Sequence, residues 1–228
     1  MITFEDVSKQ FGNGHLALDR VNLAIEPGEF AFVVGPSGAG KTTLLKLITR
    51  ELLPTSGVVV VGGWNVVSLP TAKIPHLRRR VATVYQDFRL LPDRTVWENV
   101  ALSLQVLGKQ QDEIDREVEQ VLGMVGLVEK AQVFPAQLSG GESQKTVIAR
   151  TLVAKPEVIL ADEPTGNLDP ATSWAIMKLL EDVNSQGTTI IMATHNAEVV
   201  NALGKRVVRL EQGKIASDQK KGTYVHAE

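Results

Sequence analysis

Gly35-Pro36-Ser37-Gly38-Ala39-Gly40-Lys41-Thr42 decides how this 228-residue chain is read. The stretch follows an apolar, strand-like run, Phe30–Val34, and opens a helix-like one, Thr43–Ile48. Glycines between a strand and a helix let successive backbone N–H groups turn toward one anion, and the helix N-terminus adds its positive dipole end. In a loop of this pattern Lys41 reaches the β- and γ-phosphates of a nucleoside triphosphate, and the Thr42 hydroxyl ligates Mg²⁺. The loop therefore predicts a triphosphate pocket on a βα unit.

Working outward, the composition sets bounds. Hydrophobic residues make up 43% and charged residues 22%, ordinary for a globular protein with a sizeable core. The net charge of −2 gives no basic field for nucleic acid or anionic lipid. The absence of cysteine excludes disulfides, thiol catalysis and thiolate metal sites, and fits a reducing cytoplasm. No apolar run reaches the roughly eighteen residues of a membrane span, and the alternating start Met1–Val7 lacks a basic leader. Contact with a membrane is expected only through a partner.

Ile2–Val7 and Leu18–Ile25 alternate as strands around the turn Phe11–Gly14, and Val58–Val61 and Arg80–Tyr85 read as further strands. From about Asp87 to Ala154 the apolar spacing turns helical, over Val96–Leu107, Glu113–Val125 and Glu142–Ala154. Strand and helix then alternate: Val158–Ala161, Thr172–Asn184, Thr188–Ala193, Ala197–Leu203 and Lys205–Leu210, the pattern of a mainly parallel α/β sheet. Asp218–Glu228 reads as a polar, loosely ordered tail. His76 and Arg78–Arg80 read as a solvated edge, and His15, His226, Trp64 and Trp174 carry no functional expectation.

Two further elements carry chemistry. The run Glu157–Glu163 is an apolar strand ending in two carboxylates, where ligands of parallel sheets bind. Asp162 suits Mg²⁺ held through water, and Glu163 suits general-base activation of the water that attacks the γ-phosphate. Leu138-Ser139-Gly140-Gly141-Glu142 opens a helix with a second anion-binding device, and also has the form of a capping box. One triphosphate has no use for two such devices on one chain, unless the second serves a neighbour's nucleotide.

With Gly35–Thr42, Gln86, Leu138–Glu142, Val158–Glu163, Asn167–Asp169 and His195 in this order, the chain resembles the ATP-binding cassette (ABC) ATPases over nearly its whole length. The resemblance implies an ABC nucleotide-binding domain spanning 1–228. A RecA-like core with an N-terminal antiparallel β subdomain would cover about 1–86 and 155–217, and a helical signature subdomain about 87–154. It implies ATP and Mg²⁺ as ligands, and a head-to-tail homodimer that sandwiches two ATP molecules between phosphate loop and signature. Phe11 would stack on adenine, Thr43 would join the loop, Gln86 would sense Mg²⁺ and the attacking water, Asp169 would cross to the partner's site, and His195 would contact the γ-phosphate. Catalysis would fall to Glu163, His195, Gln86 and Lys41.

The stretch between Gln86 and Leu138 is too short for the coiled coil or zinc module of DNA-repair members, and a single cassette is unlike the translation factors. Gln86–Pro92, Thr95–Val100, Ala161–Pro170 and Lys221–Tyr224 resemble the cell-division branch. That branch implies an integral-membrane partner on the cytoplasmic face of the bacterial membrane. Lipoprotein-releasing and macrolide exporters share Pro164–Asp169, so an exporter subunit stays an alternative, as does a soluble scaffold. Phe88, Leu90 and Leu91 are expected to form an apolar socket for the partner, with Arg89 at its rim. Lys145 and Asn196 depart from the family's usual Arg and Asp.

Overall fold

The computed structural model describes residues 1–224 as two sheets flanked by helices. The first sheet is antiparallel, ordered β2 (Leu16–Ile25), β1 (Ile2–Gln10), β4 (Ser56–Val61), β5 (Trp64–Asn65). The second runs β10 (Lys214–Gln219), β9 (Arg206–Glu211), β3 (Phe30–Val34), β8 (Thr189–Ala193), β7 (Val158–Asp162), β6 (Val81–Val84). All its neighbours are parallel except β10, which returns antiparallel along β9. The helices are α1 (Lys41–Ile48), α2 (Ile74–Arg80), α3 (Val96–Val106), α4 (Gln111–Val125), α5 (Gly140–Leu152), α6 (Pro170–Ser185) and α7 (Ala197–Leu203).

The central strands β3, β7 and β8 are apolar except at Thr189 and Asp162, because both of their faces are covered. On β3, Phe30, Phe32 and Val34 enter one core with α3 to α7, while Ala31 and Val33 enter a second with α1 and the antiparallel sheet. The two-residue period of a strand thus feeds two cores at once. β7 does the same with Ile159 and Ala161 on one side and Val158 and Leu160 on the other. Ile114, Val118, Val121, Leu122 and Val125 form the buried stripe of α4, spaced for one helical face. They share a core with Phe32 and Ile159, so α3 to α5 and the parallel sheet are packed as one apolar body.

Three stretches differ from the sequence-based expectation. The tail expected from Asp218 begins as ordered strand, with Asp218 paired to Val208 and Gln219 to Val207, and Tyr224 is buried. The polar side chains misled because β10 is an edge strand with one solvated face; residues 225–228, His226 among them, lie outside the described residues. Arg78–Arg80 close α2; Arg78 and Arg79 are exposed, as expected of a solvated edge, but the edge is hydrogen-bonded in place. Arg78 donates to the carbonyls of Thr49 and Arg50, and Arg80 grips Glu157 through two 2.7 Å bonds. The third stretch is Phe88–Leu91, where Phe88 and Leu90 pack partly buried against the core.

Candidate nucleotide site

β3, β7 and β8 end side by side, with Asp162 paired to Ala193, and their C-terminal ends form the floor of a cleft of about 600 Å³. Gly35–Thr43 form one wall, with Gln86, Asp162, Glu163 and His195 opposite and Phe11 at the rim. Gly35 has a φ of 147°, and a side chain there would collide with the Leu210 carbonyl. Only glycine lets the loop turn so close to the strand behind it. Thr95, Ser139, Asp169 and Asn196 cap the starts of α3, α5, α6 and α7 with their side chains. α1 begins instead at Gly40, in left-handed conformation, with no side-chain cap. Its first-turn N–H groups, which lack intrahelical partners, are left for an anion.

Lys41 Nζ curls over this loop, donating to the carbonyls of Gly35 at 2.7 Å and Pro36 at 3.1 Å. The Thr42 hydroxyl donates to Asp162 Oδ1 at 3.2 Å. Burial pushes the Asp162 carboxyl above its usual range; the Thr42 bond opposes that shift and the Glu163 charge adds to it. Hydroxyl, carboxylate and amide carbonyl from Thr42, Asp162 and Gln86 are hard oxygen donors, the set Mg²⁺ takes alongside phosphate and water. Glu163 holds a left-handed backbone, φ 51°, its N–H bonded to the Ala193 carbonyl at 2.9 Å. A non-glycine residue in that region is strained, and such strain concentrates where a side chain must be aimed. Glu163 Oε1 lies 2.8 Å from His195 Nδ1, joining the end of β7 to the turn after β8.

The signature residues lie elsewhere. Ser139, Gly140, Gly141, Glu142 and Asp169 are absent from the lining of the cleft. Ser139 Oγ accepts from the Glu142 N–H at 3.2 Å while Glu142 Oε2 accepts from the Ser139 N–H at 2.9 Å, a closed capping box. That backbone bond leads in holding the Glu142 carboxyl below its usual range. Asp169 caps α6 through Thr172, whose side-chain hydrogen bond leads in lowering its carboxyl. Thr172 also packs on Gly141, where an added Cβ would sit 2.5 Å from its methyl carbon. The signature and the Asp169 turn therefore form one surface, separate from the cleft on the same chain.

Phe11 is 36% exposed and stacks on His15 with ring centroids 6.4 Å apart. His15, Ala17 and Tyr224 line the cleft without a sequence signal, since His15 sits in a glycine-rich turn and Tyr224 follows a polar stretch. Asn196 Oδ1 accepts from the Val199 N–H at 3.1 Å, so the departure from Asp keeps the helix cap. Of the residues expected to form a socket, Phe88 and Leu90 are half-buried against the core and Leu91 is exposed. The apolar hollow lies beside them, a groove of about 640 Å³ lined by Tyr85, Leu102, Val106 and Leu107 with Arg78 and Arg79. Spacing alone could not tell which apolar residues of 88–107 turn inward.

A phosphate loop facing two strand-end carboxylates, with a detached glycine-rich helix start on another surface, defines a P-loop nucleotide-binding cassette. The ABC transporter family model matches residues 18–166. The cell division ATP-binding protein FtsE of Bacillus subtilis is 50% identical over 224 residues, 98% of either chain. FtsE of Escherichia coli K12 is 47% identical over 213 residues, 93% of this chain and 96% of the relative. Among solved structures, a dimeric ATP-binding cassette in a post-hydrolysis state, bound to ADP and Pi, superposes with a TM-score of 0.88 at 35% identity, covering 98% of this chain and all of that one. The chain belongs to the ABC transporter family and, within it, to the cell-division ATP-binding proteins.

Proposed function

We propose that the chain hydrolyses MgATP as a head-to-tail homodimer and drives an integral-membrane, FtsX-like partner that regulates peptidoglycan hydrolysis in cell division. One observation carries the reading: a complete phosphate cleft and a detached signature surface occur together on a chain about half identical to FtsE over nearly its full length. Two copies facing each other would bring the Ser139–Gly141 surface of one to the Gly35–Thr42 loop of the other.

The α1 amides and Lys41 would bind the phosphates and stabilise charge developing on the γ-phosphoryl oxygens. Phe11 would stack on the base. Thr42 and Asp162, with Gln86, would hold Mg²⁺, which neutralises phosphate charge when bound. Glu163 would accept the proton of the attacking water, with His195 fixing its carboxylate at the 2.8 Å contact. The Ser139 hydroxyl accepts one bond within its capping box and keeps its own proton to donate across the dimer. Among the described residues no helix is long and apolar enough to cross a membrane, so force would pass to the partner by docking. The groove beside Tyr85 suits that docking: Leu102 and Val106 offer apolar surface, and Arg78 and Arg79 favour an acidic flank on the incoming element.

The test is co-expression with a tagged FtsX-like membrane protein in a strain depleted of its own FtsE-type subunit. The chain should co-purify with the membrane protein and restore division, while Glu163→Gln co-purifies and leaves cells filamentous. Failure of the wild-type chain to co-purify would overturn the partner assignment.

A further inference from the structure

We propose that Tyr224 is a positioning residue: Gly222–Tyr224 latch α7 in place and so hold the turn that carries His195 at the nucleotide cleft. The inference deepens the ATPase reading and rests on it. Tyr224 is only 4% exposed although it follows a polar stretch, and it lines the cleft together with Gln86, Glu163 and His195. Its backbone is locked in both directions to one side chain of α7. The Tyr224 N–H donates to Asn201 Oδ1 at 2.7 Å, and Asn201 Nδ2 donates to the Tyr224 carbonyl at 3.0 Å. Just before it, the Gly222 N–H donates to the Lys205 carbonyl at 3.2 Å. A Cβ on Gly222 would sit 2.7 Å from Val207 Cβ, so the strap lies flat on β9 only because this residue is glycine.

α7 has reason to need a latch. It is seven residues long, too short to persist by its own hydrogen bonds, and only Val199 and Val200 are buried along it. Its cap, Asn196, directly follows His195, so a shift of the helix moves the imidazole that meets Glu163 at 2.8 Å. The Tyr224 ring packs in the core that includes Val199, Val200 and Val207. Among the described residues, Arg209, Glu163 and Glu211 are charged groups that act on its phenol. The strap thus ties together three things: the start of β9, Asn201 of α7, and the wall of the cleft.

The test measures steady-state ATP turnover of the full chain, with thermal melting of each variant as a folding control. Asn201→Ala is the main variant, because Asn201 is exposed and its loss leaves the core intact. Asn201→Ala and Tyr224→Ala are expected to lower kcat by about 10- to 100-fold, the upper end being the cost of a full ångström of misplacement, with KM for ATP changed by less than about twofold. Tyr224→Phe keeps the ring and the backbone lock and should restore turnover. In a His195→Ala background neither Ala variant should lower kcat further, because both act through that turn. Near-wild-type kcat in Asn201→Ala, or losses that add fully to that of His195→Ala, would overturn the latch. A wild-type turnover that Glu163→Gln leaves intact would instead break the ATPase reading, and the latch with it.

Discussion

The chain has two glycine-rich helix starts, at α1 and at α5, and their surroundings are opposite. α1 starts without a side-chain cap, facing a cleft where Lys41, Asp162 and Glu163 stand within reach of one ligand. α5 starts with a closed capping box and contributes nothing to that cleft. A glycine-rich turn is therefore not a site in itself. The first becomes one through neighbours on its own chain, whereas the second, in the proposed head-to-tail dimer, would be completed by another copy. The expected consequence is a division of labour: changes at the cleft reach nucleotide binding or turnover, and changes at the signature leave single-chain nucleotide binding intact while weakening the dimer.

The largest effect should come from the cleft. Glu163→Gln removes the proposed proton acceptor while keeping shape, and turnover should fall by about 10²–10⁴-fold. Binding of a fluorescent ATP analogue should survive, and an ATP-bound dimer should accumulate on a sizing column. Lost nucleotide binding in this variant would mean that Glu163 supports the pocket rather than the reaction. Next in size is Ser139→Ala. It opens the capping box, at about 1 kcal/mol of stability, and removes the hydroxyl offered to the second chain. Nucleotide affinity of the single chain should be unchanged, while the ATP-dependent dimer in a Glu163→Gln background is lost. Weaker binding to the single chain would erase the distinction between the two helix starts.

The two regions are also joined, and the joint can be tested. Arg150, near the end of α5, donates to the carbonyls of Arg89 at 2.8 Å and Phe88 at 3.3 Å, just beyond Gln86. Burial pushes its guanidinium below its usual range, so the contact is made at a desolvation cost. Arg150→Met should leave single-chain ATP binding intact and weaken ATP-dependent dimerisation about threefold to tenfold, the size of a coupling of about 0.6–1.4 kcal/mol. A dimer as tight as wild type would show that α5 and the Gln86 segment move independently.

Residues that act through their own backbone setting were the legible ones. Gly35–Thr42 could be placed because glycine spacing and the flanking apolar runs fix a strand, a tight turn and a helix. Asp162 and Glu163 followed from their position at the end of an apolar strand. The direction of side chains in 88–107 was not legible, since one apolar helix face looks the same whether it meets a core or a groove. Leu104 is buried, whereas Val106, two residues on, is 69% exposed. β10 and Tyr224 were missed for a related reason: an edge strand with one wet face carries the composition of a tail, and the lock to Asn201 spans too many residues for any local pattern.

The smallest expected effect separates the cleft's chemistry from its stability. The Asp162 carboxyl is raised, so the folded chain binds its proton more tightly than the unfolded chain does. Stability from this group is fully present below its unfolded pKa and declines as pH rises from there through its folded pKa; above that range the full cost of holding the partly buried charge is present. Asn at this position removes the charge and keeps an acceptor for the Thr42 hydroxyl. Asp162→Asn should therefore melt a few degrees higher than wild type at neutral pH without nucleotide, and the difference should shrink toward acid. The same variant should lose Mg²⁺-dependent turnover, a gain in stability set against a loss of function. At α5 the sign reverses. Glu142 is lowered by its capping bonds, so its contribution is present above the ordinary carboxylate range and disappears as pH falls through its folded pKa. Glu142→Gln should accordingly leave the melting temperature unchanged or lower it at neutral pH. A rise there matching that of Asp162→Asn would mean that the two helix starts are electrostatically equivalent after all.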